Sequence, residues 1–72
     1  MAPIRVVVNG GTGKMGAETV AAISRTEDLA VAGVTCRRER GPALTLPNGQ
    51  DVPLSTDLDE LLQRTHPDVM VD

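Results

Sequence analysis

The chain of 72 residues has no phenylalanine, tyrosine or tryptophan, one cysteine and one histidine. Aromatic side chains supply the largest buried area per residue. The core must therefore come from Val, Leu, Ile, Ala and Met, and a lone chain of this length stands at the margin of independent stability. Base stacking has no aromatic platform, and the net charge is −3; both argue against a nucleic-acid partner. A single Cys36 cannot build a disulfide framework, so the expected setting is reducing and cytoplasmic. Cys36 and the distant His66 fall short of the ligands a zinc site needs. No apolar run approaches the ~20 residues of a membrane span. Arg5 is followed by only three apolar residues, Val6, Val7 and Val8, before Asn9 and the first glycines, which makes no signal peptide. Neither membrane nor metal is expected.

Charge is unevenly spread. Residues 1–40 carry a net +2 and residues 41–72 a net −5. The basic residues cluster at Arg37, Arg38 and Arg40. A solvated loop would account for them as well as a ligand would.

What is present is an alternation of strand and helix signals. Ile4 to Val8 is a β-branched run with Arg5 as its only polar member, which predicts a strand buried on both faces. From Lys14 to about Arg25, Met15, Val20, Ala22 and Ile23, with Thr19, fall on one helical face. Leu29 to Cys36 reads as a second buried strand. Ala43–Leu46 and Asp51–Leu54 flank Pro47-Asn48-Gly49-Gln50, a hairpin in which Asn-Gly signals a type I′ turn. Pro53 confines its strand to a sheet edge. Asp57 and Glu60 have capping-box spacing before a helix whose buried stripe is Leu58, Leu61 and Leu62. His66-Pro67 ends that helix, because a residue before proline avoids the α region. Asp68 to Asp72 begins a third buried strand. The order is strand, helix, strand, hairpin, helix, strand: an α/β, partial Rossmann-like parallel sheet with an open edge beside its last strand.

The chemistry lies in the glycines. Gly10-x-x-Gly13-x-x-Gly16 overlaps Gly11-x-Gly13-x-x-Gly16, the spacing of a dinucleotide fingerprint. The context it requires is present: a buried strand before, a helix opening within, a second strand after. The first glycine permits the sharp turn, the middle one admits a pyrophosphate close to the backbone, and Gly16 lets helix and strand pack closely. A tight turn without ligand would use the same residues. A phosphate-binding P-loop would not. Met15 follows Lys14 where a hydroxyl residue is needed, and Val8 stands where the first glycine belongs. About 20 residues beyond the motif, where an acid would hold the adenosine ribose, stands Cys36, followed by Arg37 and Arg38. Guanidinium groups suit a 2′-phosphate, which favours NADPH over NADH; Glu39 would take the ribose role if the loop were displaced. Cys36 and His66 read as structural residues. No general acid, substrate clamp or other catalytic group can be located.

Taken together, Ile4 to Gly16 resembles the opening of the 4-hydroxy-tetrahydrodipicolinate (dihydrodipicolinate) reductases, in which a valine-rich strand leads into Gly-x-x-Gly-(Arg/Lys)-Met-Gly. Asp28–Val34 and Pro67–Asp72 are similar to that family as well. The resemblance implies a cytoplasmic, usually tetrameric NADH- or NADPH-dependent enzyme of the diaminopimelate route to lysine, which reduces a cyclic dicarboxylate imine. Its small-molecule dinucleotide would touch Gly10, Gly11, Thr12, Gly13, Lys14 and Met15, with Arg37 and Arg38 at the 2′-phosphate. The family usually places an acid before a basic residue here, and Cys36 departs from that pattern. The resemblance further implies that residues 1–72 form the N-terminal part of an NAD(P)-binding domain. The catalytic His and Lys and the tetramer-forming sheet would then lie in a later domain outside this chain. Two other readings remain open: a non-catalytic dinucleotide-binding module, and another Rossmann oxidoreductase or epimerase.

Overall fold

A computed structural model describes residues 3–11, 13–38 and 41–71. Its elements are β1 (Ile4–Val8), α1 (Lys14–Ser24), β2 (Leu29–Thr35), β3 (Ala43–Thr45), β4 (Asp51–Ser55), α2 (Leu58–Thr65) and β5 (Val69–Val71). The strands form one five-stranded sheet in the order β3-β4-β2-β1-β5. The pairings β1–β2, β1–β5 and β2–β4 are parallel, and only the β3–β4 hairpin is antiparallel. The chain builds outward from β1 through β2 to the hairpin, then crosses to place β5 on the other side of β1. The strand order therefore reverses at β1, the position where open α/β sheets offer a crevice.

The valine run explains the central position of β1. Val6, Val7 and Val8 are 3%, 0% and 2% exposed, because a parallel strand needs apolar cover on both faces. On one face Val20 and Ile23 of α1 close over Val6, Val8, Val31 and Val34, and the cluster extends to Leu46, Val52 and Leu54. On the other, Leu61 of α2 packs on Val7 and Ala32, flanked by Leu58 and Leu62. Leu61 is fully buried, a contribution on the order of 2 kcal/mol. Gly33 makes room for it, since a Cβ there would lie 3.0 Å from a Leu61 methyl. An irregularity between Val6 and Val7 pairs Val6 with Val31 but Val7 with Gly33. The extra residue in β2 lets Val31 and Val34 share a face although they are three positions apart.

Several expectations require correction. Met15 is 81% exposed and Ala22 is exposed too, so the buried side of α1 is narrower than the apolar pattern implied. The hairpin turn is not type I′. Gly49 alone has positive φ (88°), Asn48 does not, and Leu46 bonds to Gly49 and Gln50 across a three-residue loop. Pro53 lies in a strand flanked on both sides, not at an edge. The β2–β4 register begins one residue later, at Val34 and Leu54, so its missing N–H interrupts no bond to β2. His66-Pro67 does end α2 as expected: His66 leaves the right-handed region for the left-handed one (φ 46°, ψ 60°) as the helix cap, its N–H bonded to Leu62 O. Histidine is among the non-glycine residues enriched in that region. The third strand is not buried: Val69 and Met70 are 47% and 43% exposed at the sheet edge. Its start is held by Arg5, whose N–H donates to the Asp68 carboxylate at 2.9 Å while Arg5 O accepts from Asp68 N at 2.9 Å.

Candidate functional site

The glycine turn is assembled from three strand ends. Asn9 N donates to Val71 O at 2.7 Å, tying the exit of β1 to β5. Gly10 then turns the chain with φ 77°, a conformation that side chains disfavour. Its N–H donates to Thr35 Oγ1 at 2.8 Å, and the next amide, Gly11 N, donates to Thr35 O at 3.1 Å. Gly11 is buried; a Cβ there would meet Val34 at 2.5 Å. Gly16 is the tightest position, since its Cβ would stand 2.2 Å from Gly10 O and 2.7 Å from Gly11 Cα. Helix α1 thus lies directly on the turn it leaves.

Gly13 differs from these. It caps α1 in an extended conformation (φ −75°, ψ 172°), its carbonyl accepts from Ala17 N at 2.7 Å, and a Cβ would find no atom nearer than 3.9 Å. Among the described residues no side chain caps α1, and no acid occupies its first turn. The first amides of a helix have no acceptor within it. Those of Lys14 and Met15, both exposed, therefore lie at the positive end of the helix dipole, an arrangement suited to an anion.

Beside the turn, a groove of about 510 Å³ runs along the carboxyl ends of β1, β2 and β4. Asn9, Gly10, Thr35, Cys36, Arg37, Thr56 and Leu58 line it. The structure brings Gly10 and Arg37 into one groove; Gly11, Gly13, Lys14 and Met15 are not among its lining residues. Arg38 is exposed next to Arg37 but is not among the lining residues, and Thr12 lies outside the described residues, as do Glu39 and Arg40. Cys36 stands where an acid was sought. It is buried, and its thiol donates to Arg38 O at 3.0 Å. Sequence reasoning missed Asn9, Thr35, Thr56 and Leu58. Thr35, the one hydroxyl in a run of apolar β2 residues, was the available signal. Among the described residues no group of three or more His, Cys, Asp or Glu side chains could hold a metal, and no helix is long and apolar enough to cross a membrane.

Strand order, two-faced core and glycine turn define a Rossmann-like α/β domain. The family model described as "Dihydrodipicolinate reductase, N-terminus" matches residues 4–72, and the chain belongs to that family. It is 45% identical over 73 residues to a 4-hydroxy-tetrahydrodipicolinate reductase of Dehalococcoides mccartyi, covering 100% of this chain and 28% of the relative. The enzyme of the same name from Moorella thermoacetica is 41% identical over 75 residues, with the same coverage. Among solved structures, dipicolinate-bound dihydrodipicolinate reductase from Paenisporosarcina sp. TG-14 superposes with a TM-score of 0.74 at 30% identity, covering 94% of this chain and 27% of that one. The chain spans a little over a quarter of the length of these relatives.

Proposed function

We propose that this chain is the NAD(P)H-binding part of a reductase of the 4-hydroxy-tetrahydrodipicolinate type. The observation that carries the reading is the N-terminus of α1: among the described residues it has neither a side-chain cap nor an acid in its first turn, and it begins at a glycine with open space. These residues fit a dinucleotide. The amides at 14 and 15 would hold the pyrophosphate, with Gly10, Gly11, Thr12 and Gly13 forming the close-approach turn. The adenosine side would lie in the groove lined by Arg37 and Leu58. When bound, NAD(P)H supplies a hydride; this segment's own part is to grip and orient the carrier. The substrate, a cyclic dicarboxylate imine of the diaminopimelate route to lysine, would be engaged by residues of a longer protein, cytoplasmic and tetrameric. On its own the 72-residue segment is expected to bind without turnover.

The same reading assigns NADPH over NADH. Arg37 lines the groove, Arg38 is exposed beside it, and Cys36 stands in place of a ribose-binding acid. A charge-assisted contact to a 2′-phosphate is worth about 10- to 100-fold in affinity. Fluorescence titration of both cofactors into the intact protein tests this. NADPH should bind tighter by that factor, and the double substitution Arg37→Gln, Arg38→Gln should erase the gap. A preference for NADH would overturn the assignment.

A further inference from the structure

Resting on the dinucleotide reading above, we infer that Thr35 is the positioning residue of the glycine turn: it fixes which of the turn's amides face the ligand. Thr35 is buried at the end of β2, at the floor of the groove. Its hydroxyl donates to Asn9 Oδ1 at 2.6 Å. With its proton committed to that acceptor, the oxygen presents a lone pair to Gly10 N–H at 2.8 Å. The carbonyl of the same residue takes Gly11 N–H at 3.1 Å. One residue therefore satisfies two consecutive amides of the turn, one through its side chain and one through its backbone.

The consequence is directional. The Gly10 and Gly11 amides point back into the sheet and are withheld from a phosphate. Gly13 N–H is taken by Gly10 O at 3.4 Å, so among the described residues the amides left for a ligand are those at the start of α1. A buried donor left without a partner is costly. Removing the hydroxyl would free Gly10 N–H to seek another acceptor, and a change in the Gly10 dihedrals that re-aims this N–H would also displace the following carbonyl, Gly10 O, which lies against Gly16, and with it the start of α1. Thr35 would act through the turn, by the hydrogen bonds it makes to Gly10 and Gly11.

The test combines titration with residue-resolved amide measurements on the intact protein. Thr35→Val keeps the shape and deletes the hydroxyl. It should weaken NADPH about tenfold and speed hydrogen exchange at Gly10, with exchange at Leu61 unchanged. Thr35→Ser restores the oxygen and should return both readouts to within about twofold. A purely structural role would move Leu61 together with Gly10. In the unsubstituted protein, which needs no variant to fold, NADPH should shift the Lys14 and Met15 amide resonances more than that of Gly10. The inference is overturned if Thr35→Val binds NADPH as the unsubstituted protein does, if Thr35→Ser fails equally, or if Gly10 shows the largest shift. Failure of the unsubstituted protein to bind either nicotinamide cofactor would overturn the dinucleotide reading instead, while Gly10 exchange would still report whether Thr35 holds the turn.

Discussion

The two helices begin in opposite ways. At the start of α2 the chain supplies its own partners. The Asp57 carboxylate accepts from Glu60 N at 3.2 Å, Asp57 N donates to Ser55 Oγ at 3.0 Å, and Ser55 Oγ donates to Glu60 Oε2 at 2.9 Å. Asp59 and Glu60 add negative charge to the first turn. At the start of α1 there is no capping side chain among the described residues, and no acid in its first turn. Every helix faces the same problem of amides without acceptors. Here α2 solves it internally, and α1 carries a Lys and a run of glycines in place of a solution. A chain with so little core to spare forgoes the ~1 kcal/mol that a cap provides, which is the pattern expected where a ligand completes the helix end.

The most damaging way to disturb this contrast is Gly16→Ala. The new methyl would lie 2.2 Å from Gly10 O and 2.7 Å from Gly11 Cα, both backbone atoms that cannot rotate aside. Either α1 lifts off or the turn opens. Overpacking of this kind costs about 1–3 kcal/mol or more. Urea denaturation should show that loss, and NADPH binding should fall by about 100-fold or more. Wild-type affinity in this variant would mean that α1 need not sit on the turn.

A smaller pair of changes exchanges the two designs. Gly13→Asp would give α1 the cap that α2 has, in a place where a side chain meets nothing within 3.9 Å. Stability should hold or rise by about 0.5 kcal/mol, while a carboxylate against a phosphate should weaken NADPH about 10- to 100-fold. Asp57→Ala should do the reverse, losing about 1 kcal/mol of stability by thermal melt and leaving cofactor affinity unchanged. If both substitutions moved only stability, the difference between the two helix starts would have no bearing on ligand binding.

How much of this was legible in the sequence follows the range of the forces. β1, α1, β2 and α2 were readable within a residue or two, since β-branched runs, glycine spacing and the Asp57–Glu60 signal act locally. So was the open edge beside the last strand, and of the expected site residues Gly10 and Arg37 line the groove. The errors came from partners distant in sequence. Pro53 occupies an interior strand because β2 joins β4 only beyond it. Met15 has an apolar side chain yet points outward, because Gly16 takes the packed side of α1. Thr35 meets the turn 25 residues away, and no local pattern pairs it with Asn9 and Gly10.

The faintest test concerns the other end of α2. Arg64 Nε lies 3.4 Å from Glu60 Oε1, one helical turn apart, with both side chains 48% exposed. The pair runs from acid to base toward the C-terminus, the orientation that also suits the dipole. An exposed ion pair of this kind is worth a few tenths of a kcal/mol, since water screens it and two long side chains must be ordered. Yet Glu60 also takes the Ser55 hydroxyl, so Arg64 helps hold the residue that completes the α2 start. Arg64→Ala should lower stability by about 0.3–0.5 kcal/mol, an effect that shrinks in 1 M salt, with no change in NADPH affinity. A loss much larger than that and insensitive to salt would show that the two ends of α2 are coupled through Glu60, and that its capped start depends on more than Asp57.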